Sequence, residues 1–257
     1  MYTDGALGSR GACLLQPYSD KKNHFGFLLN SLNHFNYLAE KLSKTNLQMC
    51  THAIGDSANR VIMDVYSKVL KPSSDKRWRI EHCQVVHTND LEKFRKYKII
   101  PSVQPTHATS DMYWAEERLG KERIKNAYAY KDLLKASGIL ALGTDFPVEE
   151  ICPLKTFYAS AVRKDVKGFP EKGFQIENSL SRIETLKGMT IWGARASFTE
   201  KETGSLEKNK KAKILLFWNL LKNSYDLAIG LRSESICSSP PRPRVCLRNN
   251  RWRYNLG

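Results

Sequence analysis

Residues 139–147 have the sequence ILALGTDFP, a short apolar run that ends abruptly in an acid and a proline. The run is long enough for a β-strand and too short for an ordinary helix, and its continuous apolar character is typical of a parallel strand covered on both faces. Pro147 lacks a backbone N–H and favours extended geometry at Phe146, so we expect the strand to stop close to Asp145. The Asp145 carboxylate is therefore predicted at the C-terminal end of a buried strand, the rim that carries catalytic groups in barrel folds.

Three other short strand candidates are followed by polar side chains in the same way. They are residues 47–52, which end in His52, residues 78–82, which end in His82, and residues 99–104, which are followed by His107. His52, His82 and Asp145 would meet at one rim, and imidazoles with a carboxylate are the ligand set of zinc or a similar divalent ion. A lone histidine at a strand end is more often structural, and an Asp before Pro often only caps a turn. The coincidence of all three carries the metal-site hypothesis.

Segments with helical spacing of apolar residues separate these strands. The predicted helices are 26–43, 57–70, 89–97, 112–119, 129–136, 153–164 and 182–197, and a further strand is predicted at 212–217. Strands that alternate with helices through short connections indicate an α/β fold built on a parallel sheet or barrel.

The chain is strongly basic, with a formal net charge of +15 over 257 residues. Eleven basic residues against two acidic ones from Lys208 onward supply +9 of that charge, so the excess belongs mainly to the tail. Residues 233–257 are rich in Ser, Pro and Arg without periodicity, and we expect them to be irregular. A basic nucleic-acid-binding protein is a disfavoured alternative, because no binding motif accompanies the charge.

The six cysteines are scattered and include no CxxC pair, which indicates a reduced, cytoplasmic protein rather than a disulfide scaffold. No apolar run is long enough for a membrane helix, and the first residues lack the layout of a secretory signal. We therefore expect no membrane partner, while a targeting segment lost from the region before Met1 stays an alternative.

Several longer motifs point to one family. They are DGALGSRGA at 4–12, THAIGD at 51–56, RIEHCQ at 79–84, PSVQPTHATSDMYWAEERLG at 101–120 and LGTDFPVE at 142–149. Together they resemble the amidohydrolase superfamily, most closely its branch of N-substituted formamide deformylases and related metal-dependent hydrolases. The resemblance implies part of a TIM (β/α)8 barrel, strands four to eight, over residues 1–200. Residues 201–232 would be the remnant of a small C-terminal β domain, followed by the basic tail at 233–257.

The resemblance also implies roles for individual residues. His52 and His82 match metal ligands on strands five and six, and Asp145 matches the strand-eight aspartate that touches the metal and acts as general base. The side chains expected to face the substrate are His107, Gln104 and Arg10. The implied cofactor is a divalent metal, with zinc as the first choice.

The implied reaction is hydrolysis of a non-peptide C–N bond in an amide, formamide or cyclic ureide, with a small molecule as the substrate. The family's His-x-His pair and its strand-four lysine have no counterpart here and would lie upstream of Met1. A truncated, catalytically inactive fragment of such an enzyme is therefore the main alternative. We expect no specific nucleic-acid partner, and a homo-oligomer is left open.

Overall fold

Four parallel strands form the centre of the fold in the computed structural model, which describes residues 1–211. They are β1 (Cys50–Ala53), β2 (Arg79–His82), β3 (Ile100–Val103) and β4 (Ala141–Leu142). The strands lie side by side in the order of the sequence, and each neighbouring pair is parallel. The predicted α/β fold with a parallel sheet is thereby confirmed.

Nine α-helices belong to the described part of the chain. They are α1 (Leu32–Ser43), α2 (Asp56–Val69), α3 (Glu92–Lys96), α4 (Pro105–Asp111), α5 (Ala115–Arg123), α6 (Tyr130–Ser137), α7 (Pro153–Val162), α8 (Arg182–Met189) and α9 (Ile191–Ala196). Helices α2 to α6 connect successive strands, which is the arrangement that parallel neighbours require.

The first predicted helix, 26–43, was too long at its N-terminal end. Gly26 has a φ of +73°, and Leu28 forms an antiparallel bridge with Asp4 instead of continuing a helical pattern. Helix α1 begins at Leu32, where the Ser31 side chain accepts a hydrogen bond from the backbone N–H of His34 at 3.3 Å. An N-terminal cap of this kind sets a helix boundary that apolar spacing alone does not show.

Three other predicted elements also have different bounds. The segment 182–197 is split into α8 and α9 at Thr190, whose φ of −127° and ψ of −94° are not helical. In place of the helix predicted at 112–119, the structure has two helices, α4 and α5, separated by residues 112–114. The strand predicted at 139–145 is paired only at Ala141–Leu142, followed by a hydrogen bond from the Gly143 N–H to the Val103 carbonyl at 2.9 Å.

The N-terminal segment adds one parallel bridge beside β1. Tyr2 pairs with His52, the Thr3 N–H donates to the His52 carbonyl at 2.9 Å, and the His52 N–H donates to the Met1 carbonyl at 2.9 Å. This pairing places the glycine-rich loop that follows directly above the C-terminal end of β1.

The carboxylate of Asp4 fixes this loop to the start of α2. One carboxylate oxygen accepts from the backbone N–H groups of Cys13 and Gly55 at 2.9 and 2.8 Å, and the other accepts from Ile54 at 3.0 Å. Gly55 is required there, because a Cβ atom would lie 2.0 Å from the Cys13 carbonyl oxygen. Asp4 is only 1% exposed, so this contact is part of the protein interior.

A large apolar core lies between the sheet and its helices. Trp78 and Tyr66 are fully buried in it and meet edge to face, with ring centroids 4.9 Å apart. The Tyr66 hydroxyl is paired with the Thr51 hydroxyl at 2.7 Å, which satisfies a polar group that would otherwise be costly to bury. The core therefore holds β1 and β2 against α2.

Residues 212–257 lie outside the described part of the chain, and with them the strand predicted at 212–217 and the basic tail. The division into segments 1–200, 201–232 and 233–257 therefore stays a prediction. Within residues 1–211, no helix combines the length and apolar character needed to cross a membrane.

We expect Asp4→Ala to lower the free energy of unfolding by about 3 kcal/mol or more, because two buried N–H groups and one partly buried N–H group would lose their acceptor. Urea unfolding of the full chain followed by far-UV circular dichroism measures this loss. Asp132→Asn is the matched control, since Asp132 forms an exposed ion pair with Lys135 at 3.1 Å. We expect that control to change stability by less than about 1 kcal/mol, and equal losses in the two variants would contradict the role of Asp4.

Candidate active site

A cavity of about 690 Å³ opens at the carboxyl ends of the strands. The side chains predicted from the sequence that line it are His52, His82, Gln104, His107 and Asp145. Parallel strands direct the residues at their carboxyl ends toward one rim, which explains why segments far apart in sequence contribute to one space.

His52 lies within β1, close to its end, beside Asp4. Its Nε2 atom is 3.5 Å from Asp4 Oδ1, and no group within residues 1–211 forms a hydrogen bond with this buried nitrogen. Burial and the neighbouring His82 lower the pKa of His52 to about 4. The imidazole is therefore neutral at pH 7, and Nε2 is available to a ligand.

His82 ends β2 and is oriented by Gln104. Its Nδ1 lies 2.8 Å from the Gln104 side-chain oxygen, and because a carbonyl oxygen only accepts, Nδ1 carries the proton. The Nε2 atom of His82 then keeps its lone pair. Burial lowers the pKa of this imidazole as well. His82 has a positive φ of 75°, a backbone strain of the kind that concentrates at functional sites.

His107 reaches the same cavity from the first turn of α4. Pro105 occupies the start of that helix immediately after β3, where a missing N–H costs nothing. The His107 ring stacks on His82 with centroids 5.8 Å apart, while the His52 and His82 rings meet edge to face at 4.5 Å. Burial lowers the pKa of His107 to about 4, and its buried Nε2 has no hydrogen-bond partner in the described part of the chain.

Asp145 follows β4 with a φ of +58° and lines the cavity while remaining exposed to solvent. Its negative charge acts on His82 and His107, in each case raising a pKa that burial lowers. The carboxylate and the two imidazoles therefore belong to one electrostatic environment at the cavity.

Arg10 is placed differently from the other predicted residues. Its guanidinium forms two hydrogen bonds with the Asp20 carboxylate, at 2.8 and 3.1 Å, and Arg10 is not among the described residues that line the cavity. The structure thus brings five of the six predicted side chains to one cavity. Arg10 instead forms an ion pair with Asp20 in the segment that precedes α1.

The donor atoms around the cavity suit a divalent metal ion in kind. Two neutral imidazoles present unpartnered Nε2 atoms, a third imidazole has its proton fixed on Nδ1, and a carboxylate lines the same space. Within residues 1–211, however, no three His, Cys, Asp or Glu side chains are grouped closely enough to hold an ion as they stand. The donor atoms of these residues are of the kinds that bind a divalent metal ion. Their side chains are more widely spaced than the ligands of a bound ion.

The Amidohydrolase family model matches residues 1–222 of the chain. The chain belongs to the amidohydrolase family. Protein LONG AFTER FAR-RED 3 of Arabidopsis thaliana is 34% identical over 231 residues, covering 88% of this chain and 38% of that protein. An N-substituted formamide deformylase of Arthrobacter pascens is 25% identical over 221 residues, covering 84% and 39%. The resemblance inferred from the motifs is thereby confirmed.

A solved structure is similar over the same region. The crystal structure of an uncharacterized metal-dependent hydrolase from Pyrococcus horikoshii matches with a TM-score of 0.73 and 35% identity, over 82% of this chain and 42% of that one. This amidohydrolase chain therefore spans about two fifths of the length of the relatives it matches.

A second group of cavity residues was not identified from the sequence of this amidohydrolase. The Asp111 carboxylate accepts hydrogen bonds from the Gln84 amide at 3.0 Å and from the Tyr128 hydroxyl at 2.8 Å, and Glu149 lines the same side of the cavity. Burial raises the pKa of Asp111 to about 6. Gln84, Asp111 and Glu149 all fall inside the motifs quoted above, but neither periodicity nor strand-end position distinguishes them from surface residues.

The lowered pKa of His107 predicts acid sensitivity. A folded-state pKa near 4 against 6.5 for the unfolded chain means that the unfolded state takes up the proton first as pH falls. The contribution of His107 to stability is therefore fully present above pH 6.5 and is lost as pH falls toward 4. The free energy of unfolding of the wild type should fall between pH 7 and pH 5, and His107→Gln should make that fall smaller by about 2 kcal/mol. Urea unfolding at both pH values measures the difference.

The matched control for this measurement is Thr106→Ser. It changes the same helix, keeps the hydroxyl and removes no titratable group, so its dependence on pH should equal that of the wild type. An identical pH dependence in wild type and His107→Gln would contradict a neutral, buried imidazole.

Proposed function

We propose that this amidohydrolase chain carries the catalytic rim of a metal-dependent hydrolase of non-peptide C–N bonds in amides, formamides or cyclic ureides. The observation that carries the proposal is the pair of buried, unpartnered Nε2 atoms of His52 and His107, beside His82 and Asp145 at one cavity. Leaving two buried nitrogens without partners is costly unless a ligand uses them. The similarity to a metal-dependent hydrolase structure at 35% identity supports a divalent ion as the ligand of His52, and the substrate is proposed as the partner of His107.

The residues proposed to hold the ion are His52, His82 and Asp145, and zinc suits two imidazoles with a carboxylate. When bound, such an ion acts as a Lewis acid that polarises a carbonyl group and makes water more acidic. Gln104 holds the proton of His82 on Nδ1, so Nε2 keeps the lone pair with which it would bind an ion.

Asp145 is proposed as the general base. Its carboxylate takes a proton from the attacking water and delivers it to the departing nitrogen, which leaves as an amine. The neutral His107 imidazole, buried beside His82, is proposed to hydrogen-bond the substrate carbonyl or amide across the cavity. The partial burial of His107 lowers the local dielectric constant, which would strengthen its hydrogen bond to the substrate.

N-substituted formamides are the first substrates to test, since the Arthrobacter pascens relative is named for their deformylation. In this proposal the cavity binds a small molecule, and neither a specific nucleic acid nor a membrane takes part. The protein is proposed to act in the cytoplasm as a monomer or a homo-oligomer. The comparisons with known proteins do not favour the alternative of an inactive fragment.

The purified full chain, loaded with Zn²⁺, should release formate and amine from N-substituted formamides. We expect Asp145→Asn to lower kcat/KM by about 100-fold or more, because the amide cannot accept the water proton. His52→Asn and His82→Asn should weaken Zn²⁺ binding, measured separately by calorimetry. Asp132→Asn, far from the cavity lining, is the control that should keep wild-type values.

Two outcomes would contradict the proposal. One is undiminished turnover by Asp145→Asn, which would remove the assigned base. The other is a wild-type chain that binds no divalent ion and hydrolyses none of the formamides, amides and cyclic ureides offered.

A further inference from the structure

The glycine-rich loop and the start of helix α5 form one wall of the cavity. The Arg118 Nε atom donates to the Gly8 carbonyl at 3.2 Å, and the Ser19 N–H donates to the Arg118 carbonyl at 2.9 Å. Arg118 also forms an ion pair with Asp20. Gly8 and Trp114, which immediately precedes α5, both line the cavity. The contact between these two distant parts of the chain therefore shapes the cavity on that side.

The Trp114 ring is held in place within this wall. A Cβ atom at Gly8 would lie 3.2 Å from the Trp114 Cη2 atom, so the loop backbone packs directly against the ring. The Arg118 guanidinium lies 5.8 Å from the ring centroid, and the Trp114 N–H donates to the Asp111 carbonyl at 3.0 Å. Trp114 stays half-buried and lines the cavity. An aromatic side chain that is already held in place binds an apolar group at a low cost in conformational entropy.

The apolar core reaches the cavity at three side chains. Leu7 and Ile54 belong to the main core, with exposed fractions of 1% and 5%, and both line the cavity. Trp114 packs against the same core. Asp111, the cavity acid nearest to Trp114 in the sequence, already accepts hydrogen bonds from two protein side chains. Leu7, Ile54 and Trp114 thus give the cavity an apolar surface that the proposed chemistry does not use.

We propose that Leu7, Ile54 and Trp114 bind an uncharged, apolar substituent on the nitrogen atom of the substrate. This inference rests on the proposed function, and it narrows the substrates to formamides and amides whose nitrogen carries a hydrocarbon group of several carbons. In a formamide the acyl side is a single hydrogen, so only the nitrogen substituent has carbon atoms to place on this surface. Each methylene buried there should tighten binding by about fourfold.

The test compares two formamides of the same length. One is N-pentylformamide, and the other is its analogue in which an ether oxygen replaces the central methylene of the chain. The ether oxygen would lose its hydrogen bonds with water on an apolar surface. Calorimetric titration of the full chain, with Zn²⁺ present, should therefore show the pentyl compound binding more tightly, by about fivefold or more. Trp114→Ala should reduce that preference to about twofold or less, because the aromatic part of the surface is lost.

Tyr113→Ala is the matched control, because Tyr113 precedes Trp114 in the chain but is 58% exposed and is not among the described residues that line the cavity. That variant should keep the wild-type preference. Ile54→Thr keeps the branched shape and places a hydroxyl group on the apolar surface. It should also lower the preference, and it serves even if Trp114→Ala does not fold.

Two results would overturn the proposal. One is equal binding of the two compounds by the wild type, including no binding of either. The other is an undiminished preference in every folded variant of Trp114 and Ile54.

The binding readout is separate from turnover. A preference for the pentyl compound without hydrolysis would overturn the proposed reaction and leave the apolar subsite standing. Hydrolysis of both compounds with equal KM would support the reaction and overturn the subsite.

Discussion

The carboxylate of Asp4 accepts hydrogen bonds from three backbone amides that belong to two separate parts of the chain, and the geometry of the cavity depends on this contact. Two of the amides, those of Ile54 and Gly55, connect β1 to α2, and the third belongs to the glycine-rich loop. The loop is thereby held beside the end of β1, and its residues Ala6, Leu7 and Gly8 line the cavity together with His52. Burial raises the pKa of Asp4 to about 6 while the amides oppose that shift, so the fold tolerates a buried acid in order to fix the loop.

Burial also controls the chemistry of the imidazoles. His52 and His107 lose their affinity for protons because the charged forms would be poorly solvated, and their nitrogen lone pairs become available for a Lewis acid or a hydrogen-bond donor. A metal-binding histidine must be neutral to serve as a ligand. The same desolvation therefore prepares ligands and excludes water, and the hydrogen bond from His82 to Gln104 adds the orientation that desolvation alone does not provide.

The strand ends were predictable because apolar runs and the residues that stop them are local properties. The strands predicted at 47–52 and 78–82 correspond to β1 and β2. The predicted end of the second strand places His82 where the structure has it. Arg10 was not predictable in this way. Its orientation is set by Asp20, ten residues further on, in a loop whose conformation depends on close contacts such as that of Gly55 with Cys13. The extended conformation of Leu28 likewise depends on its bridge with Asp4, which no helical period encodes.

Net charge was a poor guide to the site, and the reason is physical. Charges separated by more than about 10 Å in physiological salt are largely screened, so a net charge summed over the whole sequence does not give the field inside one cavity. That field is set by groups within a few ångströms, where Asp111 and Glu149 share a hydroxyl and the imidazoles are neutral. A strongly basic amidohydrolase chain can thus have four carboxylates and no Lys or Arg among the described residues that line its cavity, and the local charge follows from those residues rather than from the composition.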